Sequence, residues 1–182
     1  MVYFEQKGRR NTDDTVKAAV AKAKELGIKH IVVASNTGET AEKFLGQGLE
    51  IACVTHHIGF TGPGEDEMGA EKRKELQDKG VKLLTTTHLL AGVGRALRNK
   101  FEGVYPAEIV SSTLRMMGQG FKVCTEISVM ALDAGLVPFG EEIIAVGGTG
   151  KGADCACVIA PAHSSQFFDT KIKEVICMPR EH

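Results

Sequence analysis

Apolar positions along the chain alternate between helical spacing and short continuous runs. Polar capping residues open the first helical stripe at residues 11–14, and Gly27 ends it. Residues 30–34 are a β-branched apolar run, which indicates a strand buried on both faces. Helical spacing resumes at residues 41–46, and a second apolar run follows at residues 49–54. Strand, polar loop, helix and strand together indicate a βαβ unit and therefore a parallel sheet.

The rest of the chain continues this alternation of predicted elements. A short third strand is predicted at residues 81–84, and a long helical stretch follows in which Pro106 opens one helix and residues 123–134 form another. Residues 59–67 are rich in glycine and acidic side chains, which predicts a mobile loop or lid. Three further strands are predicted at residues 142–146, 155–160 and 172–177.

Length and composition narrow the class of protein. The 182 residues fit one domain, so we predict a single α/β domain over residues 1–182. A formal net charge of −1 argues against a nucleic-acid partner, and no stretch approaches the ~20 apolar residues of a membrane span. The first residues lack a secretory apolar region, and the five cysteines lie in apolar segments without disulfide spacing. We therefore expect a cytoplasmic protein with reduced thiols and no membrane partner.

The strongest candidate for ligand chemistry is the polar segment at residues 35–40, called the first loop below. It lies between a buried strand and a predicted helix start, where unpaired N–H groups and the positive helix end favour an anion. Its hydroxyls can donate to phosphate oxygens, and its glycine lets the backbone approach a ligand. The alternative is an ordinary helix cap, which uses the same residue types. The candidate residues are Ser35, Asn36, Thr37, Gly38, Glu39 and Thr40.

A glycine-rich segment at residues 147–154, called the second loop, follows another predicted strand. The spacing before Lys151 does not fit a Walker loop, and the strand that follows argues against a dinucleotide fingerprint. Taken alone it is best interpreted as a wide hairpin turn, whereas a position facing the first loop would make it part of a ligand site. The candidate residues are Gly147, Gly148, Thr149, Gly150, Lys151 and Asp154.

Further polar residues are expected at the same edge of the sheet, because the carboxyl ends of parallel strands meet there. These candidates are Thr55, His56, Gln119 and Lys122. His56 and His57 point opposite ways in an extended segment, so we predict that they do not share a metal ion. Cys155 and Cys157 share one strand face and are interpreted as core residues. No metal site is predicted, and catalytic residues remain unknown because no nucleophile–base–acid set follows from sequence order.

Residues 30–55 resemble the C-terminal α/β domain of pyruvate kinase, in which a Ser/Thr-rich loop with a central glycine holds a phosphate of the allosteric sugar bisphosphate. Residues 141–158 resemble the last strands of that domain, whereas residues 58–120 have no good counterpart in it. The whole chain is similar to a stand-alone archaeal and bacterial family of proteins like this domain. That wider similarity is carried by residues 55–60, 114–120, 146–154 and 161–164. The catalytic barrel of pyruvate kinase, which takes about 250 residues, has no counterpart in this sequence.

The resemblance implies a three-layer α/β/α sandwich with a mostly parallel five-stranded sheet in the order 3-2-1-4-5, its last strand antiparallel. In that order the first loop and the second loop flank one crevice, where the strand order reverses. The resemblance also implies flavin mononucleotide (FMN) as the ligand, and hence a flavoprotein. The phosphate would lie on the first loop and the ring towards the second loop, where Lys151 or Asp154 would meet its polar edges.

The resemblance leaves the activity unassigned, and three interpretations share a small phosphate-bearing ligand. FMN binding without an assigned reaction is the first. The second is an isomerase-like enzyme acting on phosphosugars, for which His56, His88 or Glu126 is a candidate general base. The third is a non-catalytic regulatory module that binds an effector and a protein partner. A homo-oligomer is compatible with each of them.

Overall fold

The computed structural model describes residues 1–181. Its strands are β1 (Val2–Phe4), β2 (His30–Ala34), β3 (Glu50–Val54), β4 (Lys82–Leu84), β5 (Ile143–Gly147), β6 (Cys155–Ala160) and β7 (Lys171–Pro179). Its α-helices are α1 (Thr12–Leu26), α2 (Glu39–Glu42), α3 (Ala70–Asp78), α4 (Val93–Phe101), α5 (Pro106–Arg115) and α6 (Gln119–Asp133). Short 3-10 turns lie at Arg9–Asn11 and Ser164–Asp169.

The strands of the described residues form one seven-stranded sheet in the order β1-β7-β6-β5-β2-β3-β4. β6 runs antiparallel to β5 and β7, and the other neighbouring strands are parallel. The predicted order 3-2-1-4-5 is present as β4-β3-β2-β5-β6, and its last strand is antiparallel as expected. The residue pattern predicted every strand except β1, including β7 at residues 172–177. The five-stranded sheet that the resemblance implied is smaller than the observed one, because β7 and β1 extend the sheet beyond β6. β1 has three residues, too few for a pattern, and is a strand because it pairs with β7.

Helices cover both faces of the sheet and enclose two apolar cores. Successive residues of β2 point to opposite faces, so Ile31 and Val33 pack in the core that includes Ala19 of α1, while Val32 packs in the core that includes Ile127 of α6. Ile31, Val32 and Val33 have no exposed surface. Burying such a side chain stabilises the fold by about 1.5–3 kcal/mol. Because β2 contributes buried side chains to both cores, it lies at their centre.

The helix predicted after the first loop is much shorter than its pattern indicated. α2 ends at Glu42, and the next residues form i→i−3 hydrogen bonds, among them Phe44 N–H to Ala41 O at 3.1 Å. Phe44 is completely buried, and the tighter turns direct its ring into the core. A single α-helical turn supplies little macrodipole, so anion binding at the first loop would depend mainly on its unpaired N–H groups.

The predicted lid, residues 59–67, is a compact loop closed by its own hydrogen bonds. Gly59 N–H donates to Glu65 O at 2.9 Å, and Glu65 N–H donates to Gly62 O at 3.0 Å. The Arg73 guanidinium forms two hydrogen bonds to the Asp66 carboxylate, at 2.6 and 2.9 Å. These contacts attach the loop to α3, and its mobility stays a prediction.

The segment before α1 is attached to the second loop. Gly8 N–H donates to Asp154 Oδ2 at 2.8 Å, and Thr12 Oγ1 accepts the N–H of Ala153 at 3.1 Å while it donates to Arg9 O at 2.7 Å. Gly152 has φ of +76°, and a Cβ there would lie 2.4 Å from Thr12 Oγ1. Only glycine therefore allows the second loop to pass this close to the amino-terminal segment.

Replacing Thr12 by Val tests this attachment. Valine has the same shape but no oxygen, so the buried N–H of Ala153 loses its acceptor and the free energy of unfolding should fall by about 1–3 kcal/mol. Urea denaturation measures the loss. Thr113→Val is the control, because the exposed Thr113 hydroxyl bonds only to Ile109 O in its own helix. Equal stability of the two variants would contradict the proposed attachment.

Candidate functional site

A cleft of about 430 Å³ opens at the carboxyl ends of β2 and β3, and we call it the cleft. Its volume falls within the range of about 300–1,000 Å³ that small-molecule sites occupy. The first loop and the second loop both contribute to its walls, which is the arrangement expected if the two loops flank one crevice. The start of α6 and Arg9 of the amino-terminal segment complete the enclosure.

Most of the predicted site residues line the cleft. These are Ser35, Asn36, Thr37, Glu39, Thr40, Thr55, His56, Gln119, Lys122, Gly148, Gly150 and Lys151. The remaining candidates, which do not line it, are Gly38, Gly147, Thr149 and Asp154. Ligand contact by any of these residues stays a prediction.

The candidates outside the cleft lie behind its walls. Gly38 is buried with φ of +87°, and a Cβ there would lie 2.7 Å from Leu76 Cδ1. Gly147 ends β5 against the backbone of Gly120, and the Thr149 hydroxyl is buried. Asp154 is fully buried, and its Oδ2 accepts the hydrogen bond from Gly8 N–H. The expectation that the Asp154 carboxylate meets a ligand ring is therefore not met in this structure, because that carboxylate supports the loop from behind.

The first loop presents unused hydrogen-bond donors. Ser35 N–H donates to Val54 O at 3.0 Å, and Ser35 Oγ accepts the N–H of Thr40 at 3.2 Å, which closes the loop on itself. The backbone N–H groups of Asn36, Thr37 and Gly38 have no acceptor within residues 1–181. Free donors on a closed loop suit an anion that brings its own acceptors.

Asn36 connects the first loop to His56. His56 N–H donates to Asn36 Oδ1 at 3.1 Å, so the Asn36 amide nitrogen is the atom that faces His56 Nε2 at 3.2 Å. That nitrogen is a donor, which makes Nε2 the acceptor and leaves the ring proton on Nδ1. Nδ1 then donates to Glu67 Oε2 at 2.6 Å. The Phe60 ring stacks on His56 with the ring centroids 3.6 Å apart, so the imidazole is held on both its edge and its face.

Positive charge exceeds negative charge around the cleft. Arg9 pairs with Glu39 at 2.8 Å, but both side chains are more than half exposed, so this pair is weak. Arg115 donates to two neutral oxygens, those of Gln119 and Ser111, each at 2.6 Å. The side chains of Arg95 and Lys151 have no hydrogen-bond or ion-pair partner among the described residues. These side chains leave the cleft suited to a negatively charged ligand.

A buried ion pair lies at the start of α6. Lys122 Nζ contacts Glu126 Oε2 one helical turn away, and the two side chains are 8% and 4% exposed. Glu126 Oε1 also accepts the N–H of Leu90 at 2.7 Å, which attaches the segment before α4 to α6. Burial lowers the pKa of Lys122, Glu126 opposes that shift, and Arg115 and Arg95 add to it.

His88 stands beside this pair and beside His56. Its Nε2 lies 3.3 Å from Thr55 O, and its ring centroid is 5.4 Å from that of His56. Burial lowers the pKa of His88 below its ordinary value, and the Glu126 carboxylate partly offsets that effect. His56, His88 and Glu126, the candidate general bases of the sequence analysis, therefore all border the cleft.

Several lining residues were not predicted from the sequence. They include Arg9, Phe60, Glu67, Arg95, Arg115 and Val123. Arg115 precedes the helix that begins at the sheet edge, which is a usable signal for an anion site. Arg9 has no such signal, because it reaches the cleft only through contacts of its segment with the second loop.

Three cysteines lie together in the core beneath the cleft. The thiols of Cys124, Cys155 and Cys157 are within 4.8 Å of one another, and all three side chains are buried. Cys155 and Cys157 are core residues, as expected. Burial raises the pKa of the Cys124 thiol, which favours the protonated form. The absence of a metal site stays a prediction.

Comparison with known proteins supplies a family. The model of the family described as pyruvate kinase, alpha/beta domain, matches residues 13–159. No helix within the described residues combines the length and apolar character that a membrane crossing requires.

Solved pyruvate kinase structures from Cryptosporidium parvum are also similar. One, in complex with ADP, has a TM-score of 0.40 and 18% identity, over 81% of this chain and 22% of that chain. A second has a TM-score of 0.39 and 18% identity, over 75% and 20% of the two chains. A third has a TM-score of 0.40 and 17% identity, over 84% and 23%. This chain thus covers about a fifth of the length of these pyruvate kinases.

Replacing Lys122 by Met tests the buried ion pair. The variant leaves the Glu126 carboxylate buried without its counter-charge, and the free energy of unfolding should fall by about 3–5 kcal/mol in urea denaturation. Adding Glu126→Leu removes the second charge and should restore part of the loss. Lys74→Met is the matched control, because Lys74 and Asp78 form an exposed pair with the same spacing. A loss no larger than that of the control would contradict the buried pair.

The pH dependence of stability tests the environment of His88. Its pKa is lower in the folded protein than the ordinary value of 6.5, so the unfolded chain binds more protons as the pH falls through that value. The free energy of unfolding of the wild type should therefore decrease from about pH 8 to about pH 5. That of the His88→Gln variant should decrease less over the same range. Urea midpoints across this range give both slopes. Equal slopes would show that His88 is not buried as described.

Proposed function

The chain belongs to the family of the pyruvate kinase alpha/beta domain, and from this premise we propose that it binds a phosphate-bearing small molecule in the cleft. FMN is the first ligand to test. The fold of this family suggests a ligand-binding or regulatory module. The observation that carries the proposal is the set of free N–H donors on the first loop, which border a cleft with excess positive charge.

The phosphate is placed on the first loop. Free N–H groups and the hydroxyls of Thr37 and Thr40 donate to its oxygens, and the Lys151 ammonium supplies charge from the second loop. Arg9 is available as well, since its exposed pair with Glu39 exchanges readily for a doubly charged ligand. Hydrogen bonds to an ionised phosphate are roughly twice as strong as those between neutral groups. The loop therefore needs no helix dipole to hold an anion.

The ring of the ligand is placed against Phe60. This side chain is 41% exposed and already stacks on His56, so a planar ring such as that of a flavin has an aromatic face to pack against. The second loop offers glycine backbone rather than a carboxylate, because Asp154 lies behind it. This location replaces the sequence-based expectation that the ring edges meet Asp154.

An enzyme acting on phosphosugars is the second candidate function. The observation that favours it is that His56, His88 and Glu126 border the same cleft as the phosphate donors. A general base within reach of a bound sugar phosphate is what an isomerase requires. A regulatory module would bind the same ligand without turnover, so activity assays with hexose and pentose phosphates separate these functions.

Replacing both Thr37 and Thr40 by Val tests the phosphate position. Loss of two hydroxyl donors to a charged group should weaken binding at least tenfold, since each such bond contributes about 1.5–3 kcal/mol. FMN is titrated by its fluorescence, and inorganic phosphate by thermal shift. Thr113→Val should bind like the wild type. If adding the protein leaves FMN fluorescence unchanged and FMN does not shift the thermal midpoint of the protein, FMN is rejected. If inorganic phosphate also fails to shift the thermal midpoint, the phosphate site is rejected.

A further inference from the structure

Lys122 combines three properties that surface lysines lack. It lies in the first turn of the fifteen-residue helix α6, it lines the cleft, and it is 6% exposed. The Glu126 carboxylate contacts its Nζ directly. A salt bridge of this kind contributes little to stability once both charges have been desolvated, so stability alone does not account for it.

We propose that Lys122 Nζ forms an imine with the carbonyl carbon of a phosphate-bearing aldehyde or ketone bound in the cleft. The inference rests on the proposed function, because the phosphate on the first loop is what holds the carbonyl near the amine. It concerns the phosphosugar class, whose members carry an aldehyde or ketone, rather than FMN, which has neither group.

The burial of Lys122 in the cleft destabilises its ammonium form, which must lose a proton before the reaction. Only an unprotonated lysine has the lone pair that attacks a carbonyl, and burial is the usual means of obtaining one near neutral pH. Burial lowers the pKa of Lys122, and Arg115 and Arg95 act in the same direction against the opposing effect of Glu126. The amino-terminal end of α6 also disfavours a positive charge in its first turn.

Glu126 is placed to transfer the protons of the reaction. The Lys122 ammonium first gives one proton to the Glu126 carboxylate. The neutral amine then attacks the carbonyl carbon, a C–N bond forms as the C=O π bond breaks, and the oxygen takes the electron pair and the proton from Glu126. Glu126 accepts a proton from the attacking nitrogen and returns one to the departing hydroxyl, which leaves as water. The sum is one lysine ammonium and one carbonyl giving one protonated imine and one water, with the Glu126 carboxylate restored and no oxidant or reductant required.

The apolar floor around Lys122 protects the product. Ala34, Val54 and Ile127 line the cleft with it, and Val54 and Ile127 are 2% and 4% exposed. These side chains limit the access of water, which would otherwise hydrolyse an imine.

Pyridoxal phosphate, an aldehyde with a phosphate, is the probe for the test. The full chain is incubated with it, the imine is reduced with borohydride, and the modified lysines are located by peptide mass spectrometry. We expect the labelling of Lys122 to saturate as the pyridoxal phosphate concentration rises. The labelling should fall at least tenfold when inorganic phosphate competes. The exposed Lys17 in the same digest reports non-specific labelling and should not respond to phosphate.

Two variants distinguish the role of the Lys122 amine from the role of its neighbour Glu126. Lys122→Arg keeps a positive charge beside Glu126, so it should fold and bind the ligand but give no adduct at position 122. Glu126→Gln should slow imine formation at least tenfold while the affinity for pyridoxine phosphate, which has no aldehyde, stays within about twofold. A parallel loss of affinity and rate would mean that Glu126 only supports the fold of the site.

The aldehyde-free ligand also separates the two proposals. If pyridoxine phosphate binds but Lys122 is not labelled, the imine is rejected and the phosphate site stands. If neither pyridoxine phosphate nor inorganic phosphate binds and Lys122 is not labelled, both proposals are rejected. Labelling of Lys122 that phosphate does not reduce would also overturn the inference, because the amine would then react independently of the first loop.

Discussion

The parallel pairing of β2 with both β3 and β5 is the constraint on which the rest of the structure depends. Val32 and Val33 are fully buried on opposite faces, so the direction and register of β2 are fixed by two cores at once. Since the three strands run the same way, the first loop after β2 and the second loop after β5 leave the sheet at the same edge. A crevice between the two loops follows from that geometry.

The amino-terminal segment turns this crevice into an enclosed cleft. Its contacts with Ala153 and Asp154 hold Arg9 beside the second loop, where a side chain at Gly152 would leave no room for Thr12. The wall is therefore made by residues about 140 positions apart in the chain. An anion held between the two loops would tie this segment, β2 and β5 together.

The ligand proposals share one phosphate and differ in what lies beyond it. A flavin ring uses the exposed face of Phe60, whereas a carbonyl group uses the buried amine of Lys122. Family membership accounts for the sheet and the two loops, and the chemistry is argued from the charges and donors around the cleft. Because Lys122 and Glu126 are costly to bury, the proposed imine would give their position beside the cleft a functional reason.

The sequence by itself determined the strands β2 to β7, because short apolar runs between polar segments record burial locally. It also located the first loop, whose polar residues follow directly from a buried strand. Only the tertiary structure decided that α2 is one turn, that Asp154 lies behind the cleft, and that Arg9 and Phe60 border it. Each of these depends on contacts between residues distant in the chain, such as Gly8 with Asp154, and local periodicity carries no record of such contacts.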